Sequence, residues 1–128
     1  MSGYTALKID DIEGAYGGAF KRVRASLGAS AFGMQIVDFP PNADRYPEHD
    51  HAGDGQEEVY VTLAGGGVMT VAGDEVPLDT DTVIRVGPGT MRKMAAGPDG
   101  LRVLVVGGVP GKAYEAPEFS MLEGAETV

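Results

Sequence analysis

Two histidines one residue apart are the residues of this chain best suited to chemistry. His49 and His51 are its only histidines, and Glu58 follows them at the start of an apolar, alternating run. On a β-strand, residues i and i+2 project to the same face, so both imidazoles can converge on one point while Asp50 faces away. A neighbouring strand carrying Glu58 would add a carboxylate oxygen. Two imidazoles and one carboxylate are a recognised ligand set for Fe(II), Mn(II), Ni(II) or Zn(II), so the pattern predicts a metal site.

The composition favours one compact domain and leaves small molecules, cations or proteins as its partners. The 128 residues are 43% apolar, which is enough for one core of ordinary size. The net charge is −9 and the pI is near 4.5. This leaves no excess of Lys and Arg to displace counterions from phosphates, which argues against nucleic-acid and anionic-membrane partners. The absence of cysteine excludes disulfides, thiolate zinc sites and cysteine nucleophiles.

Targeting and cofactor motifs are also missing from the sequence. The first 30 residues do not resemble a signal peptide, and no run approaches the roughly 18 apolar residues of a membrane span. A cytoplasmic protein is therefore expected. The sequence contains no P-loop, dinucleotide fingerprint or nucleophile elbow, so no cofactor other than a metal ion is expected.

The chain breaks into short segments that are typical of β-strands. Its 20 glycines and 8 prolines interrupt runs that are rich in β-branched and aromatic residues. This spacing predicts an all-β sandwich or barrel. The predicted strands are 32–39, 58–63, 68–71, 82–86 and 101–106.

The connections between these runs predict turns. Residues 64–67 and 72–75 are expected to form hairpin connections in which glycine supplies positive φ. Short helical turns are expected at 10–14 and 117–122. The basic stretch 21–24 alternates as on an exposed strand, which predicts a solvated face or a salt-bridge partner in a dimer.

From residue 40 to about residue 108, the sequence resembles the cupins, a family of small jelly-roll barrels built as a double-stranded β-helix. The family's first motif joins a His-x-His pair to a later Glu and Gly, and His49, His51, Glu58 and Gly65 match these positions. The six residues between Glu58 and Gly65 select Glu58 over Glu57 as the ligand. The resemblance implies an all-β cupin barrel whose two histidines and glutamate hold one divalent ion: Fe, Mn, Ni, Co or Zn.

The sequence departs from the family pattern in both cupin motifs. Ala43 stands where the first motif begins with glycine, and the loop before Glu58 is longer than the motif allows. In the second motif, aligned on residues 87–89, Arg92 replaces the histidine that is the fourth metal ligand. A guanidinium group is permanently protonated and has no lone pair to donate, so the fourth ligand is missing.

Three interpretations of Arg92 follow from this replacement. In the first, Arg92 lies at the mouth of the metal site and orients an anionic substrate group through bidentate hydrogen bonds, which makes it a candidate catalytic residue. In the second, it pairs with Glu57 or Glu58 and replaces the metal as the counter-charge. In the third, the alignment is off by one residue and Arg92 or Lys93 faces solvent at a strand edge.

Strand alternation assigns the neighbours of Glu58. Gln56 and Tyr60 share its face, while Glu57 points outward. Tyr60 is therefore the second candidate catalytic residue, because its hydroxyl could reach a ligand; otherwise it is a core aromatic with a satisfied hydroxyl. Asp54 is predicted to be a solvent-facing turn residue.

The whole sequence predicts three segments and leaves two functions open. Residues 1–30 form an N-terminal segment that supplies an edge or dimer strand, residues 31–110 form the barrel, and residues 111–128 form a tail packed on it. The resemblance implies a homodimer.

The expected function is to bind or act on a small, anionic molecule with a divalent metal, as a dioxygenase, isomerase or lyase. The alternative is a metal-free, non-catalytic cupin that binds a small ligand, so enzymatic activity itself stays open.

Overall fold

The protein is built mainly of β-strands, as the sequence predicts. The computed structural model describes residues 3–121. The elements are β1 (Gly14–Ala15), β2 (Phe20–Lys21), α1 (Val23–Leu27), β3 (Gly33–Phe39), β4 (Glu57–Val71), β5 (Asp74–Leu78), β6 (Val83–Val86) and β7 (Arg92–Gly108), with 3₁₀ turns at Ile9–Asp11 and Glu118–Ser120. No helix within residues 3–121 is long and apolar enough to cross a bilayer.

Two long strands, β4 and β7, organise the sheet. The strand order is β1-β2-β3-β7-β4-β5, β6 also pairs with β4, and every pair is antiparallel. Along one edge, β4 pairs first with β6 and then with β5, while β7 follows its other edge. A single pair of strands therefore connects the two ends of the barrel.

The predicted hairpin at 64–67 is wrong, because the chain passes through this stretch as part of β4. The register of β4 against β7 shifts on both sides of Gly65, which is typical of β-bulges that bend a strand. Gly65 has a φ of 71°. A Cβ on Gly67 would overlap the carbonyl oxygen of Ala95 on β7. These glycines therefore permit a bend and a close backbone approach, and not a chain reversal.

The predicted hairpin at 72–75 is confirmed. Val71 pairs with Asp74, so Ala72 and Gly73 form a two-residue connection between β4 and β5. Their φ angles of 50° and 85° are both positive, as a type I′ turn requires. The predicted strands at 32–39, 82–86 and 101–106 fall on β3, β6 and β7, and the runs 58–63 and 68–71 are two parts of β4.

The N-terminal segment extends the sheet and covers part of its outer face. β1 and β2 continue the sheet beyond β3. The predicted exposed strand at 21–24 is wrong, because only Lys21 is in β2 and α1 begins at Val23. Arg24 is buried in α1 and donates to the carbonyl oxygen of Ala29 at 3.1 Å. The alternation of charges in this stretch wrongly predicted a strand, because the chain forms a single helical turn that buries Val23 against β3.

The barrel interior holds an apolar core to which strands β2 to β7 contribute side chains. Along β7, Leu101, Val103 and Val105 point inward while the intervening residues are only partly buried, as alternation requires. Burial of each such side chain stabilises the fold by about 1.5–3 kcal/mol. The complete core cluster is Phe20, Val37, Phe39, Tyr60, Met69, Leu78, Ile84, Val86, Met94, Leu101, Val103 and Val105.

Replacing Gly67 by alanine is expected to lower the free energy of unfolding by about 1–3 kcal/mol, because the added methyl group is forced against the backbone of Ala95. Gly89→Ala is the control, since a Cβ there would meet no atom within 4 Å. Urea denaturation followed by circular dichroism measures both variants. Equal stability of Gly67→Ala and Gly89→Ala would contradict the close approach of β4 and β7.

Candidate metal centre

The two histidines lie on the segment that precedes β4. Backbone hydrogen bonds hold this segment against the start of β7 and the residues just before it. His49 pairs with Arg92 through His49 N to Arg92 O at 3.0 Å and Arg92 N to His49 O at 2.9 Å. His51 N donates to the carbonyl oxygen of Pro88 at 2.7 Å. The imidazole rings lie 5.1 Å apart, edge to face. The segment is therefore held against the start of β7, although it is not a full strand.

Glu58, the second residue of β4, lies beside both histidines. Its Oε1 is 3.1 Å from His51 Nε2 and 3.8 Å from His49 Nε2. One potential ligand atom from each of the three residues lies within 4.8 Å of the others. The structure therefore brings together the three residues that the sequence predicts as metal ligands, and their cluster could hold a metal ion.

The hydrogen-bond partners of the imidazoles determine which nitrogens face the cluster. His49 Nδ1 lies 3.1 Å from the carbonyl oxygen of Pro47, and His51 Nδ1 lies 3.1 Å from both carboxylate oxygens of Asp54. These partners only accept hydrogen bonds, so each Nδ1 carries the proton and each neutral ring presents its Nε2 lone pair to the cluster. The Nε2 of His51 is buried and receives no hydrogen bond. In this tautomer the Nε2 lone pairs of His49 and His51 face the Glu58 carboxylate, and neither Nε2 donates a hydrogen bond to it.

A positive charge is the group that this arrangement favours. When His51 is protonated, its Nε2–H faces Glu58, and this hydrogen bond is the main reason that the pKa of His51 is raised. A divalent cation in the same place would satisfy both imidazoles and the carboxylate at once. The donor set therefore fits a metal ion of the type that the sequence predicts.

The charge of Glu58 is maintained despite its burial. Burial raises the pKa of Glu58. When the imidazoles carry a proton on Nε2, the hydrogen bonds that His49, His51 and the Tyr60 hydroxyl donate outweigh burial and lower this pKa. The Tyr60 hydroxyl donates to Glu58 Oε1 at 2.7 Å. Burial, together with the charge of Glu58, raises the pKa of Tyr60 above its ordinary value. Tyr60 is therefore a fixed hydrogen-bond donor to Glu58 as well as a core aromatic residue.

Arg92 lies inside the barrel, and its predicted position at the mouth of the site is wrong. Its side chain is 0% exposed, which also excludes the solvent-facing interpretation. It donates from Nη2 to the carbonyl oxygen of Gly87 at 2.7 Å and from Nη1 to Glu58 Oε1 at a longer 3.4 Å. Alternation along β7 explains why Arg92 lies inside the barrel and not at its mouth, since Arg92 and Met94 point inward and Lys93 points outward. The geometry matches the second interpretation, in which Arg92 is a counter-charge to Glu58.

Asp54 is a solvent-facing turn residue, as the sequence predicts, with a side chain that is 46% exposed. The sequence interpretation missed its contact with the site, where both carboxylate oxygens lie 3.1 Å from His51 Nδ1. Gln56 supports this carboxylate through its backbone N at 3.1 Å and its Nε2 at 3.2 Å. Gln56 is buried, as the alternation predicts, and Glu57 points outward to Arg85 Nε at 2.8 Å. The only sequence signal for Asp54 was its position in the turn, three residues after His51.

A cavity of about 220 Å³ opens onto the three candidate ligands. Tyr46 lies on one side of it, with its ring centroid 6.0 Å from that of His49. Burial raises the pKa of Tyr46 to about 12. Pro117 and Phe119 form another side, where Phe119 packs on Phe20 with a centroid distance of 4.9 Å. Arg22 fixes this segment by donating from Nε to the carbonyl oxygen of Phe119 at 2.7 Å.

Comparison with solved structures identifies the fold. The chain is similar to a cupin protein from Bacteroides fragilis, with 20% identity over 100% of both chains and a TM-score of 0.72. It is also similar to a sugar phosphate isomerase of the cupin superfamily from Silicibacter pomeroyi, with 22% identity over 80% of this chain and 74% of that one, and a TM-score of 0.66. A predicted oxalate decarboxylase from Thermotoga maritima is 25% identical over 62% and 68% of the two chains, with a TM-score of 0.55. No family model and no curated protein matches the sequence.

The chain is therefore a cupin by fold, an all-β jelly-roll barrel, and the resemblance seen in the sequence is confirmed at this level. The activities of the isomerase and the decarboxylase belong to those two proteins. Identities of 20–25% establish the shared barrel and leave the reaction to be argued from the site.

Replacing Arg92 by methionine is expected to lower the free energy of unfolding of chelator-treated protein by about 3–5 kcal/mol, because Glu58 then stays buried with one cation fewer. Lys93→Met is the matched control, since Lys93 is the outward-facing neighbour of Arg92 on β7, and exposed substitutions of this kind change stability by about 0.5 kcal/mol or less. Urea unfolding measures both variants. If Arg92→Met were as stable as Lys93→Met, Arg92 would not be the counter-charge of Glu58.

Proposed function

We propose that this cupin binds one divalent metal ion through His49, His51 and Glu58 and uses it to bind or transform a small anionic molecule. The observation that carries this proposal is the convergence of the two Nε2 atoms on the buried carboxylate of Glu58. The Nδ1 partners of both imidazoles support it, because such partners orient metal-ligating histidines and fix their tautomer.

A metal ion bound there would supply Lewis-acid chemistry or activate water or dioxygen. The surrounding residues have separate tasks in this proposal. Asp54 and the carbonyl oxygen of Pro47 orient the imidazoles, and Tyr60 keeps Glu58 ionised and in place. Arg92 offsets part of the negative charge and acts through Glu58, because it is buried behind it. Dioxygenase, isomerase and lyase chemistry all suit such a site.

A second candidate function is favoured by the Arg92–Glu58 contact. A buried guanidinium near the carboxylate supplies positive charge without a metal, and it repels a cation placed beside it. In that case the barrel is a metal-free, non-catalytic pocket for a small ligand. The two candidates differ in one measurable property, which is the metal content of the purified protein.

Protein purified without an affinity tag, and then incubated with Fe, Mn, Ni, Co or Zn and desalted, is expected to retain close to one metal ion per chain by elemental analysis. The His49→Ala/His51→Ala double variant should retain almost none, because only the carboxylate remains. Asp50→Asn is the control, since Asp50 lies between the histidines, is exposed and accepts a hydrogen bond from the backbone N of Ala52.

Equal metal content in the double variant and in wild type would contradict the proposed ligands. A lack of metal in all three proteins would favour the metal-free binding barrel.

We also propose that the protein forms a homodimer through the outer face of β4 and β6. Val59, Leu63 and Val83 point outward there and are 37%, 39% and 70% exposed. The adjoining outer face of β3 and β7 is covered by the N-terminal segment, so the apolar surface continues from a covered to an uncovered part. A second copy of the chain would cover the remainder, because exposed apolar surface of this kind marks interaction sites.

Light scattering at micromolar concentration is expected to give twice the chain mass of 13.3 kDa. Val83→Asp should shift the mass toward that of the monomer, because it places a charge in the apolar contact. Val68→Asp is the control, since Val68 is 39% exposed on β4 beyond the bend and outside the proposed contact. A monomeric wild-type protein, or equal effects of the two substitutions, would contradict the dimer.

A further inference from the structure

A second, larger cavity adjoins the candidate metal centre. This cavity, which we call the apolar chamber, has a volume of about 470 Å³ and is lined mainly by aromatic, aliphatic and proline residues, among them Tyr16, Val37, Phe39 and Ala43. Cavities of 300–1,000 Å³ with apolar walls and a few polar groups are the usual binding sites of small organic molecules. The chamber is therefore large enough for the body of a ligand, whereas the cavity at the metal centre is smaller.

The apolar chamber and the metal-centre cavity share a wall. Phe20, Tyr46, Pro47 and Phe119 line both cavities. The ring of Tyr46 lies 5.5 Å from that of Phe39 in the chamber and 6.0 Å from that of His49 at the centre. A ligand in the chamber therefore lies next to the candidate metal ligands, with Tyr46 between them.

The charges around the chamber are not balanced. Asp38 and Arg45 are its charged lining residues. Asp38 is neutralised by Arg102, whose Nε and Nη2 lie 2.6 Å and 3.1 Å from its oxygens, and by Lys21 at 3.9 Å. Arg45 is exposed and forms no ion pair within residues 3–121. The chamber therefore presents an apolar wall beside one unmatched positive charge.

We propose that the apolar chamber binds the body of an amphipathic anion, a carboxylate with an aromatic or aliphatic body, whose charged group pairs with Arg45. Arg45 thus replaces the buried Arg92 as the residue that recognises the anion, since a guanidinium binds a carboxylate through two parallel hydrogen bonds. If the metal centre acts as proposed above, the same amphipathic anion is its substrate, and this part of the inference rests on the proposed function. Binding in the chamber itself requires no metal.

Calorimetric titration with 2-naphthoate and octanoate tests this inference, with the uncharged 2-naphthylmethanol as the comparison. Both carboxylates are expected to bind the full-length, chelator-treated protein. Arg45→Gln should weaken carboxylate binding by about two- to fivefold, the value of an exposed ion pair, and leave 2-naphthylmethanol unchanged. Arg85→Gln is the matched control, since Arg85 is an exposed arginine outside the chamber, and should change neither.

Filling the chamber provides the second arm of the test. Ala43→Leu is expected to weaken binding of both naphthyl compounds more than tenfold, because the larger side chain occupies the space of the ligand body. Ala19→Leu, at another position that lines the chamber, serves the same purpose if Ala43→Leu fails to fold. Circular dichroism confirms the fold of each variant.

The results separate this inference from the metal proposal. Carboxylate binding that persists in His49→Ala/His51→Ala supports the chamber even when no metal is retained by wild type. No binding of either carboxylate to a wild-type protein that retains metal would overturn the chamber and leave the metal centre standing. Equal losses from Arg45→Gln and Arg85→Gln would overturn the role of Arg45, and unchanged affinity in a folded chamber-filling variant would overturn the location.

Discussion

The buried charge of Glu58 is the interaction on which the rest of the site depends. The residue is 3% exposed at the head of β4, where an unpaired carboxylate would be strongly unfavourable. Tyr60 reaches it from the same strand, Arg92 from β7, and the two imidazoles from the preceding segment. One negative charge thus connects the histidine segment and the start of β4 to Arg92 on β7, which is 34 residues from Glu58.

The barrel supplies the geometry that makes this convergence possible. Backbone hydrogen bonds between His49 and Arg92 align the histidine segment with the start of β7, and β7 in turn pairs with β4 along its length. Backbone pairing positions the ligand residues, and hydrogen bonds with the Pro47 carbonyl oxygen, Asp54 and Tyr60 orient their side chains. The same arrangement places a polar, charged centre directly beside an apolar chamber, with the ring of Tyr46 at the boundary.

Local periodicity in the sequence determined the fold class and the inner residues of the site. The alternation of side chains along a strand requires Gln56, Glu58 and Tyr60 to share one face, and all three are buried. Alternation likewise predicted that Glu57 points outward. The turn at 72–75 was also predictable, because it contains Gly73 and lies between two runs that are typical of strands. These features depend only on neighbours within a few residues of each other.

Tertiary structure alone decided the features that depend on distant strands. A glycine cluster permits either a hairpin or a bulge, and only the pairing of β4 with β7 selected the bend at 64–67. Arg92 was recognised as unusual from the sequence, but its burial and its contact with Glu58 follow from the strand register across the barrel. Asp54 and Phe119 reach the site through loop closure and packing, for which the sequence carries no periodic signal. A one-residue shift in register would turn every inward-facing side chain of a strand outward. The local pattern therefore determined which residues share a face, and long-range pairing decided which of these faces meet at the site.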